Sequence, residues 1–302
     1  MIIAEDLAVK FGKGVFKRKI KALDGLNLEV KEGDFLALIG QNGAGKSTAM
    51  YCFLGLLRPS SGSVTIFGKP PELGTDIYER IAYLPEEPHY HTYLTVEEAV
   101  TFYSSLYRRP VSKKRIKDTL EMLGLAEFKD LRLDKCSKGM KQKVGIAQCL
   151  IQKPSLLFLD EPTRGLDPLI VKEFRDILVT MHKEGATIVM NSHVLSEIEM
   201  VANRVAIIDK GKLVVQDSIS KLVGLDTDEY VVEFEPGESL PEYFNKTDKT
   251  DNGLRGTIPD GQLYDFMDYT KAAGLKVFLC AKRKNTLEDS YISILKGGKA
   301  NA

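Results

Sequence analysis

The segment that most constrains this chain is a glycine-rich run at residues 40–48. Its members, in order, are Gly40, Gln41, Asn42, Gly43, Ala44, Gly45, Lys46, Ser47 and Thr48. The five apolar residues before it, at 35–39, predict a buried strand, and the residues after Ser47 can continue as a helix. A glycine-rich loop between a strand and a helix is the context that a phosphate-binding loop requires. We therefore predict a P-loop at residues 40–48.

The residue types of this loop indicate what it binds. Glycines let the backbone curl so that successive N–H groups converge on an anion, and the following helix adds the positive end of its dipole. Lys46 then reaches the β- and γ-phosphates of a nucleotide, and the hydroxyl of Ser47 is a ligand for Mg²⁺. The alternative, a glycine-rich turn before an ordinary helix, is disfavoured by the strand and helix on either side.

Two acidic residues end a second apolar run, which begins at Ser155. In phosphoryl transfer one carboxylate can hold Mg²⁺ and another can orient or deprotonate the attacking water, so we assign these roles to Asp160 and Glu161. A buried strand that ends in acids is common by chance. The pair is informative because a P-loop lies upstream.

A polar triplet, Asn191-Ser192-His193, follows the predicted strand at residues 186–190. Side chains at the carboxyl end of such a strand lie at the ligand-binding edge of an open α/β sheet. By itself His193 would more often be a capping or packing residue. Its place at this edge makes it a candidate for the site.

Residues 1–39 alternate apolar and polar side chains in short runs, which predicts an antiparallel sheet. Segments 10–14 and 16–19 predict loops. Phe11, in the first of these, could lay its ring against adenine, and a core phenylalanine at the end of an edge strand fits the sequence equally well. From Thr95 to about residue 150 the pattern is helical and opens with a capping box at 95–98.

The residues after a predicted hairpin at 205–214 form a more acidic, turn-rich tail. Strands are predicted at 230–235, 254–258 and 276–280, and helices at 262–273 and 287–295, which together suggest a small α/β appendage. Within it, Asn245-Lys246-Thr247-Asp248 spells the guanine-specificity motif of GTPases. That motif should cap a buried strand of the nucleotide domain, so we interpret this match as a coincidence.

Charge and cysteine usage exclude several classes of function. The 302 residues include 42 basic and 42 acidic side chains, so no positive excess indicates a nucleic-acid partner. Neither the four cysteines nor the four histidines have the spacing of a metal site or a disulfide framework. The first residues lack the basic start and the long apolar core of a signal peptide, and no apolar run is long enough to cross a bilayer. We therefore expect a cytoplasmic protein.

Taken in order, these motifs resemble the nucleotide-binding subunit of an ABC transporter. The resemblance covers residues 1 to about 220 and is closest to exporters whose membrane subunit is a separate chain. It rests on the P-loop, Glu86, the run CSKGMKQK at 136–143, the strand at 156–161, Gly165-Leu166-Asp167 and His193. It implies an α/β fold, the P-loop NTPase of ABC type, with a RecA-like core, an antiparallel β subdomain and a helical insert at about 86–153. The tail at 221–302 would be a small accessory α/β domain.

The same resemblance implies a composite active site that binds ATP and Mg²⁺. ATP bound to the P-loop of one copy would be closed over by Ser137 and Gly139 of a second copy, or of a homologous ATPase subunit. Asp160 and Ser47 would hold Mg²⁺, Glu161 would polarise water and His193 would contact the γ-phosphate. Asp167 would lie at the dimer seam and report whether the other site is occupied.

Three positions depart from the family pattern. Glu86 stands where a glutamine that senses Mg²⁺ and water is expected, so its role as a metal ligand is less certain. Cys136 and Lys138 replace the leucine and the first glycine of the signature run, while Ser137 and Gly139 are retained. Phe11 replaces a stacking tyrosine, which a ring-stacking role tolerates.

The resemblance also implies a membrane partner. In this family the loop at 86–93 and the helical insert receive a segment of the permease, and the aromatic residues of the loop are consistent with a protein interface. They are also consistent with a local cluster that packs the insert onto the core. The tail would assist dimerisation, regulate the ATPase or act as plain structural support.

We therefore expect a cytoplasmic ATPase, peripheral on the inner face of the cell membrane, that powers export through a separate integral membrane permease. A second hypothesis is an ABC-type ATPase that acts on the ribosome or DNA without a membrane partner. One cassette, no long coiled coil and no basic excess argue against it. A P-loop kinase or GTPase is disfavoured because neither explains the segment at Ser137 or the pair Glu161 and His193.

Overall fold

The computed structural model describes residues 1–12, 20–72, 74–108, 111–223, 226–237, 240–244 and 247–297. The predicted loop at 16–19, and Asn245 and Lys246 of the GTPase-like motif, lie outside the described residues. The chain divides into two compact units, Met1–Ser218 and Ile219–Ala302.

Among its described residues, the first unit contains nine β-strands and six α-helices. In chain order they are β1 (Ile2–Phe11), β2 (Ile20–Val30), β3 (Phe35–Ile39), α1 (Lys46–Phe53), β4 (Ser61–Ile66), β5 (Ile81–Leu84), α2 (Val96–Ser105), α3 (Lys113–Met122), α4 (Lys138–Leu150), β6 (Leu156–Asp160), α5 (Pro168–Lys183), β7 (Thr187–Asn191), α6 (Leu195–Val201), β8 (Arg204–Asp209) and β9 (Lys212–Ser218).

A six-stranded sheet forms the centre of this unit, in the order β5-β6-β7-β3-β8-β9. The first five strands are parallel, and β9 returns antiparallel to β8 as the predicted hairpin. Every residue of β3, β6 and β7 is buried, as expected for parallel strands covered on both faces. Because these strands run in one direction, their carboxyl ends meet at one edge of the sheet.

A separate three-stranded antiparallel sheet has the order β2-β1-β4. The prediction that residues 1–39 form one antiparallel sheet is wrong for residues 35–39, which form β3. The strand β3 leaves for the parallel sheet because all five of its residues are apolar and buried on both faces. Its place is taken by β4, in which Val64 and Ile66 are buried and Thr65 between them is half-buried, as one covered face requires.

The helical insert consists of α2, α3 and α4. The predicted capping box is confirmed: Oγ1 of Thr95 accepts from the backbone N–H of Glu98, and a carboxylate oxygen of Glu98 accepts from the N–H of Thr95. Hydroxyl groups also cap the other two helices, since Ser112 accepts from the N–H of Arg115 and Ser137 accepts from that of Met140.

The second unit is a four-stranded antiparallel sheet with helices. Its elements are α7 (Ile219–Val223), β10 (Asp226–Phe234), β11 (Thr247–Lys249), β12 (Leu254–Pro259), α8 (Leu263–Ala272), β13 (Val277–Lys284) and α9 (Leu287–Gly297), and the strand order is β11-β12-β10-β13. Its buried core consists of Val232, Phe234, Ile258 and Phe266. The sequence analysis missed the short elements α7 and β11. None of the helices in the described ranges is long and apolar enough to span a bilayer.

Candidate active site

The predicted P-loop, acidic pair and polar triplet lie at one edge of the parallel sheet. The P-loop follows β3, Glu161 follows β6, and His193 follows β7. Asp160 and Asn191 are the last residues of β6 and β7 and pair in register. The topology therefore brings together segments that are more than a hundred residues apart in the sequence.

The P-loop is bent at two glycines with positive φ, Gly43 at 80° and Gly45 at 109°. Other residues would be strained there. A Cβ atom on Gly40 would overlap the backbone oxygen of Ile208, so the loop begins in direct contact with β8. The N–H of Gly211, in the turn after β8, donates to the carbonyl of Ala44 at 2.8 Å. The loop is thus held from outside in the curved form that exposes its N–H groups.

The ammonium group of Lys46 is turned back onto its own loop. Its Nζ donates to the carbonyl oxygens of Gly40 at 2.7 Å and Gln41 at 3.2 Å, and the residue is only 7% exposed. Burial lowers the pKa of Lys46, while the carboxylates of Glu161 and Asp160 act in the opposite direction. Lys46 is also the first residue of α1, whose first backbone N–H groups have no partner within the helix.

Asn191 joins two of the three predicted metal ligands, Ser47 and Asp160. Its Nδ2 lies 2.6 Å from Oδ1 of Asp160 and 3.2 Å from Oγ of Ser47. Burial raises the pKa of Asp160, and the charges of Glu161 and Glu86 act in the same direction. The hydrogen bond from Asn191 and the charge of Lys46 oppose this change. Asn191 was not among the predicted site residues, although it belongs to the polar triplet at the strand end.

Glu161 has an unusual backbone conformation, with φ at 46°. A residue with a side chain adopts positive φ at a cost, and such strain occurs preferentially at functional positions. The backbone N–H of Glu161 donates to the carbonyl of Asn191 at 2.8 Å, which fixes the turn after β6. Its Oε2 lies 2.6 Å from Nδ1 of His193, and its side chain is largely buried while that of His193 is half exposed.

Glu86 forms an ion pair with Arg164, a residue that the sequence analysis did not select. Arg164 lies four residues beyond Asp160, in the loop between β6 and α5. The carboxylate of Glu86 is close enough to Asp160 to raise the pKa of that residue. No local pattern could have found Arg164, because its partner is 78 residues away.

Ser137, Gly139 and Asp167 make contacts at the starts of α4 and α5. Ser137 caps α4, and Asp167 caps α5 by accepting from the N–H of Ile170 at 3.0 Å. A Cβ atom on Gly139 would overlap the side chain of Ile170, so the two helix starts touch. Ser137 and Asp167 are exposed, as residues that face a second chain would be in a lone copy.

The remaining predicted residues lie on the loop and its surroundings. Gln41 and Asn42 are exposed at the tip of the P-loop, and Thr48 is a half-buried residue of α1. Phe11 ends β1, the central strand of the antiparallel sheet, and is 44% exposed. The alternative of a core phenylalanine on an edge strand is therefore wrong, and stacking on adenine stays a prediction.

The aromatic loop after β5 contains both residues that pack the insert onto the core and residues that are exposed, as an interface requires. Tyr90 is packed inward, where its ring meets that of Tyr103 at 5.8 Å and burial raises the pKa of its hydroxyl. His91 and Tyr93 instead form an outer cluster with Phe102, and Tyr93 is 63% exposed. Part of the loop thus packs the insert, and part is free to contact a partner.

The oxygen atoms of this edge fit a magnesium ion. Hydroxyl and carboxylate oxygens are the ligands that Mg²⁺ prefers, and Ser47 and Asp160 supply one of each on either side of Asn191. The buried Oδ1 of Asn191 has no hydrogen-bond partner among the described residues. Within those residues no cluster of three or more His, Cys, Asp or Glu side chains could hold a metal alone. A magnesium ion here would take its other ligands from phosphate and water, as it commonly does.

Comparison with known proteins agrees with this geometry. The model of the ABC transporter family matches residues 23–164. An ABC transporter ATP-binding protein of Nostoc is 35% identical over 97% of this chain and 89% of its own length. The bacitracin transport ATP-binding protein BcrA of Bacillus licheniformis is 33% identical over 92% of this chain and 94% of its own. A fluoroquinolones export ATP-binding protein of Mycobacterium tuberculosis is 38% identical over 67% of this chain and 66% of its own.

Solved structures show the same fold. The dimeric post-hydrolysis state of the ATP-binding cassette MJ0796, bound to ADP and Pi, has a TM-score of 0.65 and 26% identity, over 72% of this chain and 98% of that one. CbiO1 of Clostridium perfringens, part of the transporter complex CbiONQ, has a TM-score of 0.64 and 30% identity, over 73% and 89% of the two chains. The predicted α/β fold of ABC type is confirmed.

Proposed function

This chain belongs to the ABC transporter family as an ATP-binding subunit with ATPase activity, and on that premise we propose that it drives export through a separate membrane permease. The observation that carries the proposal is the meeting of Lys46, Ser47, Asp160, Glu161 and His193 at one sheet edge. A bacitracin transport ATP-binding protein and a fluoroquinolones export ATP-binding protein are similar to this chain over two thirds of its length or more.

ATP binding would use the P-loop and the start of α1. The N–H groups of residues 43–47 surround the phosphates, and the ammonium of Lys46 exchanges its two loop carbonyls for phosphate oxygens. Phe11 stacks on the adenine ring. Ser47 and Asp160 hold Mg²⁺, which neutralises charge on the phosphates when it is bound.

Hydrolysis would depend on Glu161. Its carboxylate orients the attacking water and accepts the proton. His193 holds that carboxylate through its Nδ1 and contacts the γ-phosphate from the same edge of the sheet. The strained backbone of Glu161 is typical of a functional position, and its carboxylate is close enough to the P-loop to act on the pKa of Lys46.

Two copies, or one copy and a homologous subunit, would pair head to tail. Ser137 and Gly139 of each chain face the ATP held by the other, with the N-terminus of α4 directed at the γ-phosphate. Asp167 lies at the seam, and Glu86 senses the metal and water. ATP binding closes the dimer and hydrolysis reopens it, which moves the attached permease.

The permease contact would use a groove in the first unit. The groove has a volume of about 390 Å³ and contains four tyrosines, Tyr78, Tyr83, Tyr103 and Tyr107, with Leu54, Leu56 and Leu106 among its apolar residues. Leu106 is 68% exposed there. Exposed apolar and aromatic surface of this kind is typical of a protein interface. Docking there would place the chain on the inner face of the cell membrane.

No observation favours action on the ribosome or DNA. The balanced charge of the chain offers no electrostatic basis for nucleic-acid binding. We assign residues 1–220 to the ATP-binding domain, with the helical insert at about 86–153, and residues 221–302 to an accessory domain that supports dimerisation or regulation.

The test is a mild-detergent pull-down of Glu161→Gln protein from its host membranes with ATP and Mg²⁺, followed by sequencing of what is retained. We expect a protein with several membrane spans. Recovery of ribosomes or nucleic acid in its place would overturn the export function.

A groove variant makes the test specific. Leu106→Glu should release the membrane protein while ATP binding persists, because a charge is placed on the apolar groove. Met122→Glu is the matched control, since Met122 is 57% exposed on the same insert but does not line this groove. Equal retention by both variants would place the contact elsewhere.

A further inference from the structure

Asn191 occupies a special place in the parallel sheet. It is the last residue of β7, and its register partners are Asp160 at the end of β6 and Leu38 near the end of β3. It therefore lies between the strand that carries the acids and the strand that leads into the P-loop. The residue is 2% exposed.

The amide nitrogen of Asn191 connects two oxygen atoms from these neighbouring segments. An ionised carboxylate can only accept hydrogen bonds, so the nitrogen of the amide must face Oδ1 of Asp160, which lies 2.6 Å away. The second N–H can reach Oγ of Ser47 at 3.2 Å. The other carboxylate oxygen of Asp160 and a lone pair of Ser47 are then left for another ligand.

The amide oxygen of Asn191 has the opposite character. It is buried and has no hydrogen-bond partner in the part of the chain that the structure describes. Leaving a buried acceptor unpaired is costly, and native proteins usually pair such atoms with protein, water or ligand. A water molecule bound to a metal is a strong donor, and Mg²⁺ usually keeps several of its waters.

We propose that Asn191 is a positioning residue for the magnesium site, which rests on the function proposed above. Its nitrogen holds Ser47 and Asp160 at the spacing that the ion requires, and its oxygen accepts a hydrogen bond from a water of the magnesium shell. Asn191 itself does not bind the metal. Residues of this kind orient metal ligands, and their loss typically weakens metal binding about 10- to 100-fold.

The experiment measures metal affinity separately from nucleotide affinity. In Glu161→Gln protein, which is chosen to prevent turnover, Mn²⁺ replaces Mg²⁺ and its binding in the presence of ATP is followed by electron paramagnetic resonance. ATP affinity without metal is measured in EDTA with a fluorescent ATP analogue. Asn191→Leu, which keeps the number and branching of the side-chain heavy atoms and removes both polar ones, should lose roughly 10- to 100-fold in Mn²⁺ affinity. Its metal-free ATP affinity should change less than about threefold.

Two further variants separate positioning from folding. Asn191→Ser keeps a hydroxyl donor and should lose less Mn²⁺ affinity than Asn191→Leu. If the leucine variant does not fold, the serine variant is compared with the parent, and its Mn²⁺ affinity should fall more than its metal-free ATP affinity. Asn203→Ala is the matched control, because Oδ1 of Asn203 accepts from the N–H of Phe35 at the opposite end of β3. It should leave Mn²⁺ affinity unchanged.

The possible failures are distinguishable. Unchanged Mn²⁺ affinity in a folded Asn191 variant, or equal losses of Mn²⁺ affinity and metal-free ATP affinity, would overturn the positioning role. If the Glu161→Gln parent bound neither ATP nor Mn²⁺, the proposed function itself would fail.

Discussion

Glu86 and Arg164 form an ion pair that ties the loop after β5 to the loop after β6. The charges of Glu86 and Glu161 both act to raise the pKa of Asp160, so a third carboxylate lies close to each of them. Arg164 places a positive charge beside Glu86, which is the residue that departs from the family pattern. We infer that Arg164 makes a glutamate tolerable at position 86, beside a site that must bind the anionic phosphates.

The ion pair predicts a compensating pair of substitutions. Arg164→Ala should weaken ATP binding about two- to fivefold, the range expected for an exposed pair, because Glu86 becomes an unpaired negative charge. Glu86→Gln in the same chain should restore most of the affinity. Fluorescence titration with an ATP analogue at low and high salt measures both effects. Additive losses in the double variant would show that the two side chains act independently.

Glu161→Gln should reduce the rate of ATP hydrolysis by about 10²- to 10⁴-fold, because glutamine cannot accept the proton of the attacking water. ATP affinity should remain close to that of the parent protein, and a closed dimer should accumulate on gel filtration with ATP. Glu127→Gln removes an exposed glutamate from the insert and is the control. Hydrolysis at the parental rate by Glu161→Gln would refute its role as the base.

Ser137→Ala separates a helix cap from a contact with the second chain. Loss of the cap should lower the free energy of unfolding by about 1 kcal/mol. Ser112→Ala is a matched control, since Ser112 and Ser137 each accept a hydrogen bond of 3.2 Å from the third residue beyond. Only Ser137→Ala should also lower the rate of ATP hydrolysis, by roughly 10- to 100-fold for a lost hydrogen bond to a charged group. Equal ATPase rates in the two variants would limit Ser137 to capping.

The four cysteines predict a simple pattern of thiol reactivity. Burial raises the pKa of Cys52 to about 11 and of Cys149 to about 12, and it also raises the pKa of Cys136. A raised pKa leaves less thiolate at pH 8, so these thiols should react slowly in the folded chain. Cys280 is exposed. A thiol titration at pH 8 should find one fast group per native chain and four after denaturation.

The identity of the fast thiol can be checked directly. Burial also raises the pKa of Cys280, so its rate should still increase with pH above the ordinary thiol pKa of about 8.5. Cys280→Ser should abolish the fast phase. A second fast thiol in the native protein would contradict the packing around Cys52 or Cys149.

Local patterns predicted the elements whose conformation is decided locally. The strand Phe35–Ile39 and the capping box at Thr95 agree with the structure because an apolar run and a four-residue hydrogen-bond exchange need no distant partner. The order of the motifs along the chain predicted the ABC-type fold, and solved structures confirm it. Boundaries differed by a few residues, as for β13, which was predicted at 276–280 and spans Val277–Lys284.

Relationships between distant segments could not be predicted in this way. The sequence does not indicate that β3 pairs with β7 and β8 and leaves the antiparallel sheet. Nor does it indicate that Glu86 meets Arg164, or that Asn191 joins Ser47 to Asp160. These contacts depend on which strands are neighbours and on where loops end in space. Four of these five residues belong to motifs that the sequence analysis singled out, whereas Arg164 belongs to none.

The contact between α4 and the loop after β6 has a consequence for the paired molecule. The buried Nε2 of Gln142 donates to the carbonyl of Pro162 at 2.9 Å, so the helix that starts at Ser137 is tied to the residue after Glu161. In the proposed dimer Ser137 and Glu161 of one subunit contact different ATP molecules. Each subunit is then a mechanical link between the two sites, and hydrolysis at one should alter the geometry of the other. The two nucleotides would be consumed in a coupled sequence, with positive or negative cooperativity, and would not turn over as independent events.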